Sequence, residues 1–256
     1  MEHGLSLHIQ LDNGRQVLFD MGQRRLFADN AERLGIRLAD VDAAIVSHGH
    51  YDHGGGLRAF LELNDKAKVY VHRHAFQPHY SLRESGLRYI GIDHDLATHE
   101  RVVLCGDETQ IGEDMVLFAG VDGQCLMPIG NRLLFGPRQD VNDDFRHEQS
   151  LIIKEKEKTV LFAGCAHSGI VNIIRKGIRV AGRPFTHVFA GMHLVKNGLS
   201  EEGEAAFIHS LAQELTAQAH CHYFTMHCTG TTQYGLLSKE MSETISYMAC
   251  GDRVKI

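Results

Sequence analysis

A chain of 256 residues allows one large domain or two small ones, and its 43% share of aliphatic, aromatic and cysteine residues is enough for a substantial core. The formal net charge of −6 provides no general basic field, which argues against non-specific nucleic-acid binding. No apolar run approaches the roughly 20 residues that span a bilayer. The start Met1-Glu2-His3-Gly4 lacks a charged-then-apolar secretory signal, and the cysteines form no C-x-x-C pair, so a reducing cytoplasm is the expected location.

Leu5, Leu7, Ile9 and Leu11 alternate with polar residues, Asp12-Asn13-Gly14 is turn chemistry, and Gln16 to Asp20 returns as the second strand of a hairpin. Arg24 to Leu34 reads as a short helix stopped by Gly35. The apolar run Val41 to Val46 is a buried strand. It delivers the chain into Ser47-His48-Gly49-His50-Tyr51-Asp52-His53-Gly54-Gly55-Gly56, with three imidazoles and a carboxylate in six positions. In such a loop His48 and His50 can converge on one cation while Asp52 and His53 turn toward a second, and the glycines permit tight turns. Imidazole with carboxylate suits zinc, iron or manganese better than calcium or magnesium. The competing reading is a His-rich surface loop, which does not account for the strand, the ligand types and the Gly-rich exit coinciding.

Leu57 to Leu63 is expected to be helical and Val69 to His72 a strand. Residues 78–100 read as a loop or flap that shapes a substrate pocket, with Tyr80, Arg83, Arg88 and Tyr89 as lining candidates. Val102 to Cys105, Met115 to Phe118 and Arg132 to Phe135 are short strands. Arg138 is either a clamp for a substrate anion or a solvated charge, ahead of an acidic, His-bearing loop from Asp140 to Glu148. Strands Ser150 to Lys154 and Thr159 to Ala163 flank a charged turn. The second ends in Gly164-Cys165-Ala166-His167, repeating the grammar of the first site. His167 is the next candidate ligand; Cys165 is either a ligand or a small buried hydrophobe. A helix from Gly169 offers free N–H groups to an anion. Strand Val188 to Ala190 leads to His193, Ser200 caps a long helix, and strand Tyr223 to Met226 leads to His227. Three strands ending in histidine point to a shared rim. Most other histidines, among them His74, His79, His94, His99, His209, His220 and His222, are expected to have no metal role.

H-x-H-x-D-H after a buried strand resembles the signature of the metallo-β-lactamase superfamily. With His3 to Ser6, Leu18 to Gly22, Gly164 to Asn172, Gly191 to Leu194 and His227 to Gly230 in that order, the chain resembles one branch in particular. This is the metal-dependent hydrolases similar to 7,8-dihydropterin-6-methyl-4-(β-D-ribofuranosyl)aminobenzene-5'-phosphate synthase, and the likeness runs from about residue 3 to the C-terminus. The resemblance implies one domain over 1–256, an αββα sandwich of two mixed sheets with helices outside. It implies that Asp20 supports a ligating imidazole from behind, although a turn-capping Asp is the alternative, and that His72 lines the substrate site. Relatives usually carry a further strand before residue 5, and other branches a bridging Asp where this chain has Cys165 and His167.

The chemistry expected is that of a binuclear metal-dependent hydrolase. The expected cofactors are two divalent ions, zinc first with manganese or iron as alternatives, held by His48, His50, Asp52, His53, His167 and His227, with Cys165 in reserve. Asp52 orients the attacking water, and His193 is a ligand or an oxyanion donor. The expected partner is an anionic small molecule, a phosphoester first, with no nucleic acid or membrane and room for a homo-oligomer. The competing readings are a synthase-like activity, di-iron redox chemistry, and a non-catalytic ligand sensor that kept the metal scaffold.

Overall fold

The computed structural model describes residues 2–195 and 198–256. The chain forms two compact units, Met1–Thr109 with Leu133–Gln149 and Gln110–Arg132 with Ser150–Ile256. Strands and helices are numbered along the whole chain.

The first unit begins with the expected hairpin, β1 (Leu7–Gln10) against β2 (Gln16–Phe19), antiparallel with Leu7 opposite Phe19. The sheet continues through β3 (Ala43–Val46), β4 (Lys68–His72) and β7 (Val102–Cys105), in the order β1-β2-β3-β4-β7 and parallel from β2 onward. Lying between two parallel neighbours, β3 is buried at every position, which is why its sequence is continuously apolar rather than alternating. Helices α1 (Leu26–Arg33) and α3 (Leu57–Leu63) add Phe27, Ala28, Ala31, Leu57, Phe60 and Leu61 to a core with Leu18, Val46, Val69 and Val71. Each large side chain so buried contributes about 1.5–3 kcal/mol. Asn64 ends α3 and clamps the approach to β3: its Nδ2 donates to the carbonyls of Leu38 and Val41, both at 2.9 Å, and its Oδ1 accepts from Ala67 N–H at 2.6 Å.

Two expectations change here. Residues 78–100 are not simply a loop, because β5 (Tyr80–Arg83) and β6 (Gly86–Tyr89) form a hairpin, with β10 (Leu134–Phe135) pairing onto β5 in a three-stranded sheet. The strand expected from Arg132 to Phe135 shrinks to Leu134–Phe135, since Ile129–Leu133 winds into a short helical turn in which Asn131 N–H bonds Pro128 O.

The second unit, but for Glu108, Thr109 and Gln149 at two strand starts, carries β8 (Glu108–Ile111), β9 (Met115–Ala119), β11 (Gln149–Glu155), β12 (Lys158–Ala163), β13 (His187–Ala190), β14 (His222–Thr225) and β15 (Ile245–Tyr247), in the order β15-β14-β13-β12-β11-β9-β8. The β11–β12 hairpin is antiparallel, and β12 through β15 run parallel. Phe162, Phe189 and Phe224 stand in register on adjacent strands and stack with ring centroids 4.9 and 4.6 Å apart, a cross-strand ladder that fixes the pairing. Helices α4 (Ile170–Ala181), α5 (Glu201–Thr216) and α6 (Thr231–Met241) contribute to this unit's apolar core. As expected, Ser200 Oγ caps α5, accepting from Gly203 N–H at 3.2 Å. Both large sheets are mixed and accompanied by helices, the mixed α/β class anticipated. Among the described residues no helix is long and apolar enough to cross a membrane.

Candidate metal centre

In the first unit the loop after β3 turns directly into α2 (Tyr51–Gly54), so His48, His50 and His53 emerge together and buried. Asp20, at the end of β2, lies behind them, fully buried and at φ +64. Its Oδ1 accepts from Ser47 N–H at 2.7 Å, and its Oδ2 accepts from Ser47 Oγ–H at 2.8 Å and from His53 Nδ1–H at 2.6 Å. Ser47 spends its one proton on Asp20, so its 2.9 Å contact with His48 Nδ1 is one in which the hydroxyl accepts. Both imidazoles are thereby held as the Nδ1–H tautomer, each presenting an Nε2 lone pair of the kind a metal requires. Their ring centroids are 4.1 Å apart, and that of His50 is 4.6 Å from His48. Burial, reinforced by His147 and His79, pushes the His50 pKa well below the usual value and keeps the ring neutral. Asp52, more open at 17% side-chain exposure, has Oδ2 3.9 Å from His53 Nε2.

Two residues of the acidic loop and one at the start of the hairpin join this cluster. His147 Nδ1 accepts from Gly49 N–H at 2.9 Å while its Nε2–H donates to Asp143 Oδ2 at 3.2 Å. His79 Nδ1–H donates to the same oxygen at 2.8 Å. Burial opposes ionisation of Asp143, but the hydrogen bonds from His147 and His79 overcome it and hold the carboxyl far below the usual range. His50, His79, Asp143 and His147 bring four potential ligand atoms within 4.8 Å of one another.

In the second unit three parallel strands end at one edge, where open parallel sheets commonly build sites. Past β12 come Cys165 and His167, past β13 His193, and past β14 His227 and Cys228. Within it Cys165, His227 and Cys228, and likewise Cys165, His167 and His193, have ligand atoms within 4.8 Å of one another. Three non-glycine residues of these turns have positive φ: Ala166 at 55°, His193 at 47° and His227 at 51°. Such strain persists where the surroundings over-determine it. Thr229 Oγ1 accepts from Met192 N–H at 3.0 Å, and Thr225 Oγ1–H bonds Ala190 O at 3.0 Å. Asn131 Oδ1 accepts from His167 Nδ1–H at 3.0 Å, while Asn131 Nδ2 donates to His167 O at 2.8 Å, so Nε2 is again the lone-pair nitrogen. Cys228 Sγ accepts from His193 N–H at 3.2 Å. Burial resists ionisation of this thiol, but hydrogen bonds from Cys165 and His193 hold its pKa well below the usual value. A side chain on Gly191 would reach within 2.7 Å of that sulfur.

The family model of the metallo-β-lactamase superfamily matches residues 3–180. The chain belongs to that superfamily. It is 29% identical over 235 residues to an uncharacterized protein of Methanocaldococcus jannaschii, covering 90% of this chain and 84% of the relative. It is 25% identical over 272 residues to 7,8-dihydropterin-6-methyl-4-(β-D-ribofuranosyl)-aminobenzene-5'-phosphate synthase of the same organism, covering 99% and 90%. The crystal structure of a metal-dependent hydrolase of the β-lactamase superfamily is similar with a TM-score of 0.77 at 29% identity, covering 100% of this chain and 92% of that one. The branch named from the sequence motifs is thus represented among the relatives.

For a member of the metallo-β-lactamase superfamily, the donor set fits a metal. The first unit sets buried imidazoles of fixed tautomer beside carboxylates, and the second sets imidazoles beside thiols; His79 Nε2 and His193 Nδ1 are buried nitrogens that have no hydrogen-bond partner among the described residues. His72 lies buried at the end of β4, where its Nδ1 accepts from His74 N–H at 3.4 Å and its Nε2 is 3.7 Å from the exposed Asp107. Arg138 forms an exposed ion pair with Asp140 at 3.4 Å. Tyr80 and Tyr89 pack on each other across the hairpin, and Tyr89 Oη–H bonds Ile92 O at 3.1 Å. The sequence reading gave His79 no metal role and did not single out Asp143, His147 or Cys228, which the fold brings among the candidate ligands. The one available signal was ligand types clustering in the acidic loop before β11.

Proposed function

We propose that this chain is a metal-dependent hydrolase acting on an anionic small molecule, with a phosphoester as the leading substrate class. The observation that carries the reading is the Asp20–Ser47 clamp, which sets His48 and His53 in the tautomer that offers Nε2 outward. A buried carboxylate spent on orienting imidazoles is a device of metal sites. His48, His50, Asp52 and His53 are the proposed ligands of the first unit. Cys165, His167 and His227 are those of the second, with His193 as ligand or oxyanion donor. Two divalent ions are proposed, zinc first, then manganese or iron.

When bound, such ions lower the pKa of water toward neutrality and polarise a carbonyl or phosphoryl oxygen. The chain supplies the rest. Asp52, the most open of the motif's proposed ligands, is the proposed group for orienting the attacking water. The burial that keeps His50 neutral preserves its lone pair, and within the second unit the helix opening at Ile170 has free N–H groups of the kind that hold an anion. The relative named as a dihydropterin-linked phosphate synthase supports a second reading, a synthase-like reaction on a phosphorylated ligand.

The test is turnover of a generic phosphodiester, a phosphomonoester and a lactone, with and without chelator, beside an assay for the product in that relative's name. Chelator-sensitive phosphoester hydrolysis supports the first reading. Turnover of the lactone alone moves the substrate class, product formation selects the synthase, and inactivity throughout favours a ligand sensor. Elemental analysis of the parent and of His167→Ala and His227→Ala counts the ions; each substitution is expected to lower a content of two equivalents.

A further inference from the structure

Pro78-His79 opens the β5–β6 hairpin, and nothing in the local pattern marks His79 apart from the chain's other histidines. Its burial does. The His79 side chain is 2% exposed, its Nδ1–H donates to Asp143 Oδ2 at 2.8 Å, and its Nε2 is buried with no hydrogen-bond partner among the described residues. A buried lone pair left unmatched is destabilising, so a group that meets it belongs to this position. The ring stands edge-on to His50 with centroids 5.7 Å apart. The backbone fixes this placement: Ile90 N–H donates to His79 O, and Tyr51 N–H donates to Ile90 O, both at 2.8 Å. The hairpin is thus stitched to the H-x-H-x-D-H loop through one residue. The loop is shaped to receive it, since a Cβ on Gly49 would lie 2.6 Å from His79 Nε2.

We infer that His79 is a further metal ligand of the first unit, binding through Nε2 alongside His50, and that Asp143 is the carboxylate that orients it. The inference rests on the metal-dependent reading above. Asp143 is itself fixed, because Oδ1 accepts from Phe145 N–H at 2.9 Å and Oδ2 also receives His147 Nε2–H. His147 in turn is anchored by Gly49 N–H. A chain of hydrogen bonds therefore runs from the metal loop through His147 and Asp143 to His79, and it leaves a lone-pair nitrogen at its end that no donor among the described residues meets. The donors suit a borderline divalent ion such as zinc or cobalt rather than calcium or magnesium. A histidine kept only for packing needs no second histidine and no carboxylate to hold its tautomer.

The experiment uses the full chain, stripped of metal and titrated with Zn2+ by calorimetry and with Co2+ by its visible absorption. The parent is compared with His79→Gln, Asp143→Asn and His48→Ala, and far-UV circular dichroism monitors folding. His79→Gln is expected to weaken one ion by about 100-fold or more and to change the Co2+ spectrum. Asp143→Asn is expected to weaken the same ion by about 10- to 100-fold. If His79→Gln and the parent give the same isotherm and spectrum while His48→Ala loses an ion, His79 is a core histidine and this inference fails alone. If the parent binds neither ion, the metal-dependent reading fails with it. Should His79→Gln not fold, Asp143→Asn decides: unchanged binding overturns the inference, weakened binding with an altered Co2+ spectrum supports it.

Discussion

Asp20 Oδ2 accepts the Nδ1 proton of His53 at 2.6 Å with both side chains fully buried. The same carboxylate also takes the N–H and hydroxyl of Ser47. One residue therefore fixes the tautomers of two motif histidines, His53 directly and His48 through Ser47. Asp20→Asn keeps the shape and tolerates φ +64, which asparagine adopts more readily than most residues, but puts an NH2 donor where one of the two acceptor oxygens stood, so that either Ser47 N–H or the Ser47 hydroxyl and His53 Nδ1–H lose their acceptor. Metal affinity is expected to fall by about 10- to 100-fold with the fold retained. Asp20→Ala removes every acceptor and leaves buried donors unmatched, at a cost of about 3 kcal/mol or more. Metal titration and urea unfolding of the two variants check both statements.

Gly49 separates the two histidines that open the motif, and a methyl there meets Ala75 O as well as His79 Nε2. The carbonyl belongs to backbone and cannot swing aside. Gly49→Ala is expected to destabilise the first unit by about 1–3 kcal/mol, seen as a lower urea midpoint in metal-free protein. An unchanged midpoint means the turn opens more easily than its contacts imply.

His72 is expected to make stability depend on pH. Burial lowers its pKa from 6.5 to about 4, so between these values the unfolded chain binds a proton that the folded chain does not. Its contribution is complete above about pH 6.5 and is lost as the pH falls toward 4, amounting to about 2–3 kcal/mol. His72→Gln should flatten the stability profile across that window. A profile as steep as the parent's would assign the effect to His50 and His147, which burial shifts in the same direction.

Asn131 holds His167 at both ends, by the ring and by the backbone carbonyl. Asn131→Ala frees the ring to rotate and leaves a carbonyl without its donor. Stability is expected to drop by about 1–2 kcal/mol and the content of one metal ion to fall on dialysis, measured by unfolding and elemental analysis. Full retention of metal would remove His167 from the proposed ligands.

What the sequence determined by itself was local and dense. The ligand types of His48 to His53 lie within six positions, and the buried strands before them and before Cys165 are continuous apolar runs, legible because parallel strands covered on both faces need nothing else. The tertiary structure decided what depends on distant pairing. His79 and Asp143 are 64 residues apart, Gly49 and His147 98, Asn131 and His167 36. No periodicity connects such positions, since each contact follows from where two loops arrive after the sheet has paired. The same reason hid β8, β15 and α6, whose sequences are polar or short and acquire their conformation from a neighbour. Arg132 was misread as strand because Arg132 to Phe135 taken alone resembles one, whereas the turn from Ile129 to Leu133 claims its backbone. Side-chain type announced the chemistry; the tautomers and carboxylates that prepare it are properties of the folded chain alone.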